Sequence, residues 1–215
     1  MFSIANVSEL FKDAEYVNFY PFVGESYFSA SHKILVLGES HYGSKTINSN
    51  RDFTNWIVGD DYLLPKIDGK GFPRYTRGFD NTARVLAECS NRDSYKVYRE
   101  IAFYNYFQET VGEGNHRSKA FLTPQLVEIS RKALAEVLEI LKPDLVVGWG
   151  YSRLEWEWLP HDRKQIWQVP GKLHLFTIDE YPPVPFWCMK HPSNFFPVDL
   201  HRELFALVKE HLWGK

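Results

Sequence analysis

Two apolar runs, ILVL at 34–37 and LVV at 145–147, each break off at a glycine and give way to GESHYG at 38–43 and GWG at 148–150. No other feature constrains the fold as tightly. A strand that is apolar on both faces must be covered on both, the condition of a parallel strand between helices. The carboxyl ends of such strands are where open α/β sheets bind ligands. Gly38 and Gly43 permit a tight turn there, with backbone close to a ligand.

The rest of the chain repeats the pattern of a strand followed by polar residues. IAFYNYF at 101–107 is β-branched and aromatic and reads as a strand with an amide, Asn105, near its end. The next segment predicts a helix with Thr123 as N-cap and Pro124 at the first helical position. Its apolar face is Leu126, Leu134, Val137, Leu138 and Leu141, and it ends before Pro143. DLVVGWG at 144–150 follows as a buried strand. YSRLEWEWL at 151–159 reads as a short helix, and QIWQVPGKLHLFTI at 165–178 as two strands around a Pro-Gly turn. PFWCMKHPSNFF at 185–196 is the last strand, running into Lys190, His191, Pro192 and Ser193. The closing segment reads as an amphipathic helix with Leu200, Leu204, Leu207 and Val208 on one side. Alternating strands and helices predict a three-layer α/β/α domain over residues 1–215, with a central four-stranded parallel sheet. The stretch from Asn48 to Gly78, rich in Gly, Pro, Asp and Arg, is expected to form a long, partly irregular excursion over the sheet edge.

Composition removes several function classes. At 215 residues the chain can bury a sizeable core. A net charge of -2 announces neither a polybasic membrane partner nor a nucleic-acid binder by bulk attraction. The two cysteines, Cys89 and Cys188, form no C-x-x-C pair, which argues against a disulfide framework, a zinc site and an iron–sulfur cluster. The N-terminus lacks a basic start and an apolar h-region, and no run approaches about 18 consecutive apolar residues. A reducing cytoplasm is the expected compartment. Aromatics, at 16%, fill cores but also stack on nucleobases.

The strand ends together resemble the uracil-DNA glycosylase superfamily. In that family a motif of the form G-Q-D-P-Y-H or G-E-A-P-G follows the first strand, and GESHYG is similar to it. An asparagine that reads the flipped base ends the second strand, a place taken here by Asn105. The third strand follows an L-x-P helix end, as in LKPDLVVGWG, and the last motif is H-P-S, present as His191, Pro192 and Ser193. The resemblance covers about residues 33–196, and the first 30 residues and the last helix add little to it.

The resemblance implies hydrolysis of the N-glycosidic bond of a damaged or deaminated base. It implies a nucleic-acid partner, DNA that is single-stranded or damaged, with no cofactor, metal or membrane, and a monomer. Glu39, His41 and His191 are the implied catalytic residues. Gly38, Ser40, Tyr42, Asn105 and Ser193, with an aromatic from Phe72, Tyr75 and Phe79, are the implied substrate contacts. The amide of Asn105 offers one acceptor and two donors, which suits a pyrimidine edge. His191 can donate to a base oxygen as charge gathers on the leaving group. Glu39 or His41 would activate water, and Arg74, Arg77 and Lys190 would contact phosphates. The first motif departs from the family at its third place, where Ser40 stands instead of a water-positioning Asp and cannot act as a carboxylate base.

Plainer roles remain open to these residues. Asn105 suits a strand end, His191 and Ser193 suit a turn around Pro192, and Glu39 and His41 suit an exposed loop. Tyr42 and Trp149 suit packing. Two other functions are consistent with parts of the sequence. One is a nucleic-acid or nucleotide binding module on the same fold that lost catalysis. The other is a small-ester hydrolase, since LGESHYG is also similar to the L-G-E-x-x-H-G loop of erythromycin-esterase-like enzymes; it leaves the H-P-S loop unexplained.

Overall fold

The computed structural model describes residues 6–87, 93–112, 122–150, 163–167, 173–178, 181–193 and 195–214. Along the chain come α1 (Val7–Leu10), β1 (Phe22–Val23) and β2 (Ile34–Gly38). A helical segment follows, made of α2 (Phe53–Trp56), a π-helical stretch (Ile57–Leu63) and α3 (Leu64–Ile67). Next are α4 (Arg77–Leu86), α5 (Ser94–Tyr98), β3 (Ile101–Asn105), α6 (Pro124–Leu141) and β4 (Leu145–Trp149). The chain ends with β5 (Arg163–Trp167), β6 (Leu173–Ile178), β7 (Tyr181–Met189) and α7 (Val198–Trp213).

The strands form one sheet in the order β1-β3-β2-β4-β7-β6-β5. The inner four, β3, β2, β4 and β7, are mutually parallel and are the four segments the sequence predicts. The sheet does not stop there. β1 pairs antiparallel with β3, and β6 and β5 extend the far edge antiparallel to β7, so the sheet has seven strands rather than four. The two segments predicted around the Pro-Gly turn are β6 and β5; the helix expected at 151–159 lies outside the described residues.

Alternate residues explain why both faces are covered. Ile34, Val36, Ile101, Phe103, Leu145, Val147, Trp187 and Met189 pack in one core with residues of α4 and α7. Their neighbours Leu35, Leu37, Ala102, Tyr104, Val146, Phe186 and Cys188 pack in the other with α6. The period of two in the strands thus sends each apolar run into two cores at once. Gly148 takes the β4 place where a Cβ would stand 2.6 Å from the Phe186 ring.

The helices match the sequence in one case and correct it in two. In α6, Thr123 accepts from Leu126 N at 3.1 Å, Pro124 opens the helix, and the predicted leucines and Val137 are buried. Its end is a left-handed Lys142 just before Pro143. In α7, however, Leu200 and Leu207 are exposed, and the buried stripe is Val198, His201, Leu204, Phe205 and Val208. A histidine occupies an inward position there, so a stripe built from leucines alone is rotated off the true one. The excursion expected over Asn48–Gly78 is instead largely helical. Val58, Tyr62 and Leu63 are fully buried against the core, whereas Trp56, Leu64 and Ile67 are exposed. Its wide turn precedes Pro65, which has no N–H to give an α-helical bond. No helix among the described residues is long and apolar enough to cross a membrane.

In the parallel core the chain leaves β2 towards β3 on one side and reaches β4 on the other. The crevice where the order reverses lies between the ends of β2 and β4.

Candidate active site

A cavity of about 490 Å³ opens at that crevice. Glu39, Ser40, His41 and Tyr42 line it from the loop after β2, with Phe103 and Asn105 from β3, Trp149 from β4 and His191 from beyond β7. A second hollow of about 430 Å³ shares Tyr75, Trp149 and His191 with it and adds Arg74, Arg77, Gly78 and Ser193. An apolar pocket with a few polar groups therefore adjoins a groove bearing two guanidinium groups.

Backbone bonds beyond the strand ends hold the first motif. Tyr106 N donates to Gly38 O at 3.0 Å, Phe107 N to Glu39 O at 2.9 Å, and Val111 N to His41 O at 3.1 Å. The loop closes at Gly43, whose N donates to Gly112 O at 2.8 Å and whose φ of 138° favours glycine. Gly38 is required for another reason: its Cβ would stand 2.3 Å from Asn105 Oδ1. Register explains the closeness, since Gly38 and Asn105 are direct partners across β2 and β3.

His41 is not in an exposed loop. It is 3% exposed, with the rings of Phe19 and Phe53 edge-on at 4.8 and 4.9 Å. Its Nε2 lies 2.9 Å from Thr54 Oγ1, and Asn105 Nδ2 lies 3.2 Å from both ring nitrogens. Burial lowers its pKa to about 3, so the ring is neutral at pH 7 and is a poor general base. Phe19 belongs to the N-terminal segment, which lies outside the residues that carry the resemblance and packs on His41. That segment is tied down by Gln108, whose Oε1 accepts from Asn18 N and Phe19 N while its Nε2 donates to Asn105 O at 3.0 Å.

His191 is exposed, at the wall common to both hollows, with Trp149 edge-on at 5.7 Å. Asn81 on α4 donates to Pro192 O at 3.0 Å and holds the H-P-S loop from below. His201 on α7 holds it from behind: its Nδ1 donates to Pro197 O and its Nε2 accepts from Lys190 N at 3.2 Å. Burial lowers the pKa of His201 as well. Lys190 is turned to Phe195 O and does not line either hollow.

Among the candidate aromatics, Tyr75 and Phe79 reach the cavity and Phe72 does not; Phe72 packs on Tyr62. Phe79 is buried among Tyr62, Tyr98, Phe103 and Trp149, whereas Tyr75 is 60% exposed at the mouth and donates to Asp61. Tyr42 and Trp149, for which packing was the plain role, are on the cavity wall too. The sequence reading missed Phe53, Trp56 and Ile57. Their signal was the run FTNWI ten residues beyond the first motif, hidden by the expectation of an irregular excursion. Phe195 was missed as well: it is 98% exposed at a φ of 56°, just past the H-P-S motif. Two polar atoms among the lining residues, Ser40 Oγ and Trp149 Nε1, are buried with no hydrogen-bond partner.

No family model matches the chain, and no curated protein matches it.

Proposed function

We propose that the chain is a uracil-DNA glycosylase-like hydrolase that cleaves the N-glycosidic bond of a damaged or deaminated base in nucleic acid. The observation that carries the reading is the meeting of Glu39, Asn105 and His191, from three separate strand ends, on one cavity. A flipped base needs aromatic walls, an edge reader and a group for its developing charge. Phe53, Trp56, Tyr75 and Phe79 offer the walls, and Asn105 offers the edge. His191 donates to a base oxygen as the C1′–N bond breaks and its electron pair passes to the base. Glu39 orients the water that adds to C1′. Arg74 and Arg77 in the adjoining groove suit backbone phosphates, which keeps the negative strand beside the apolar pocket. Exposed Phe195 suits an apolar wedge into a base stack.

The ester-hydrolase alternative asks His41 for acid–base work, and the buried, neutral ring disfavours it. The binding-module alternative draws on Ser40, a hydroxyl where the family has a carboxylate. Base release from a uracil-containing single strand separates the readings. His191→Ala is expected to lose about 10²- to 10³-fold in rate, Glu39→Gln less, and Ser40→Ala least. Ser40→Asp is expected to gain activity. Equal rates for wild type and His191→Ala overturn the assignment. No release by any variant, with salt-sensitive oligonucleotide binding, establishes the binding module instead.

A further inference from the structure

Among the described Phe, Tyr and Trp side chains that line the cavity, Trp56 and Tyr75 alone are exposed, at 45% and 60%. Phe79, Phe103 and Trp149 are buried and close its interior. A base drawn inside leaves the outer parts of the two rim rings uncovered. Both rings are nevertheless held in place. Trp56 stacks on Phe53, with centroids 5.6 Å apart and planes inclined by 28°, and Phe53 packs edge-on against His41. Tyr75 is fixed at its far end, where the hydroxyl donates to Asp61. An indole covered on one face and exposed in solvent offers its other face to a planar partner.

The two rings differ in what adjoins them. Tyr75 also lines the hollow with Arg74 and Arg77, whereas Trp56 lines the cavity without entering that hollow. A backbone lying beside the arginines therefore passes Tyr75 on its way to the cavity, and Trp56 is reached from the cavity itself.

We propose that Trp56 and Tyr75 are stacking platforms for the two bases that neighbour the one in the cavity, so that the ligand is a single strand with unpaired flanking bases. Stacking on an aromatic side chain tolerates any base, because every base has a π-face. In a duplex the flanking bases are paired and stacked already, and leaving that arrangement costs free energy. In a single strand they turn onto the rings at little cost. A net charge of -2 supplies no bulk attraction for a polyanion, so stacking at the rim carries a large share of the affinity.

This rests on the reading of the cavity as a base pocket, and the test separates the two. The probe is a short all-thymine DNA single strand with one central 2′-fluoro-2′-deoxyuridine, whose glycosidic bond resists hydrolysis because fluorine withdraws electrons from C1′. Its affinity for wild type, Trp56→Ala and Tyr75→Ala is compared with that of the same strand carrying abasic sugars on both sides of the central nucleotide, and with that of its duplex. A stacked base is worth roughly 5- to 150-fold in affinity. Abasic flanks and duplex pairing are each expected to weaken wild-type binding by about tenfold or more. Each variant is expected to bind the thymine-flanked strand more weakly and to lose part of the sensitivity to the flanks, as coupled partners do in a double-mutant cycle. Trp56→Phe, which keeps a ring, is expected to retain most of the affinity. If Trp56→Ala does not fold, Tyr75→Ala decides by the same comparison. No binding, equal wild-type affinity for thymine and abasic flanks, an undiminished flank effect in the folded variants, or a duplex bound as tightly as the single strand overturns the proposal. If an abasic sugar at the central position changes nothing while the flank effect persists, the base-pocket reading falls and the platforms stand.

Discussion

At the residue scale, three histidines are put to different use by their surroundings: one is exposed and two are buried. His191 faces the cavity mouth, His201 is a neutral strut between Pro197 O and Lys190 N, and His41 is a neutral strut inside the site. The strut at position 41 has a consequence for acid stability. Its folded pKa is about 3 and its ordinary value 6.5, so between these values the unfolded chain holds a proton that the folded chain does not. Stability conferred by the neutral ring is complete above 6.5 and declines as pH falls, by up to about 1.4 kcal/mol per pH unit. Chemical denaturation of wild type and His41→Phe checks this. The advantage of wild type over the variant is expected to shrink from neutral to mildly acidic pH. A pH-independent difference would show that position 41 does not titrate in this way.

At the element scale, the strand ends are precise because the strands behind them are crowded. Phe186 of β7 fills the space over Gly148 of β4, and Asn105 of β3 fills the space over Gly38 of β2. Gly148→Ala would drive a methyl group into that ring at 2.6 Å, within a packed core. The expected cost is about 1–3 kcal/mol, together with weakened function through the shifted end of β4. Gly59, in the π-helical stretch, is the control. A Cβ there meets nothing within 4 Å, so Gly59→Ala is expected to be neutral or to stabilise by about 0.5–1 kcal/mol. Urea titration of both variants gives the comparison, and equal effects would contradict the packing argument.

At the scale of the whole molecule, charge is distributed rather than accumulated. The net charge is only -2, yet Arg74 and Arg77 flank the hollow that adjoins the apolar cavity. On the proposed function, a nucleic-acid strand lying there would release counterions at these two places. For single-stranded oligonucleotides the slope of log affinity against log salt is expected to fall by about 0.7 for each of Arg74→Ala and Arg77→Ala. Lys12→Ala, far along the chain in an exposed pair with Glu9, is expected to leave the slope unchanged. Identical slopes for all three variants would place the strand elsewhere.

The sequence by itself determined the four parallel strands and α6, because their signals are local. An apolar run of strand length that stops at a glycine fits a strand covered on both faces, and the Thr-Pro start with leucines at helical spacing marks where α6 begins and which side it buries. It also marked Glu39, Asn105 and His191 as residues at strand ends, where α/β proteins keep their chemistry. Tertiary structure alone decided what surrounds them. Phe19, Phe53 and Thr54 reach His41 from distant or misread segments, and their contact turns a solvent-loop histidine into a neutral, buried one. The helical course of 53–67 and the inward His201 were equally hidden. Neither follows a simple apolar period, and each is fixed by a partner the local sequence does not contain. Desolvation is a property of everything packed around a group, so the charge state of an imidazole is the last thing a linear pattern can reveal.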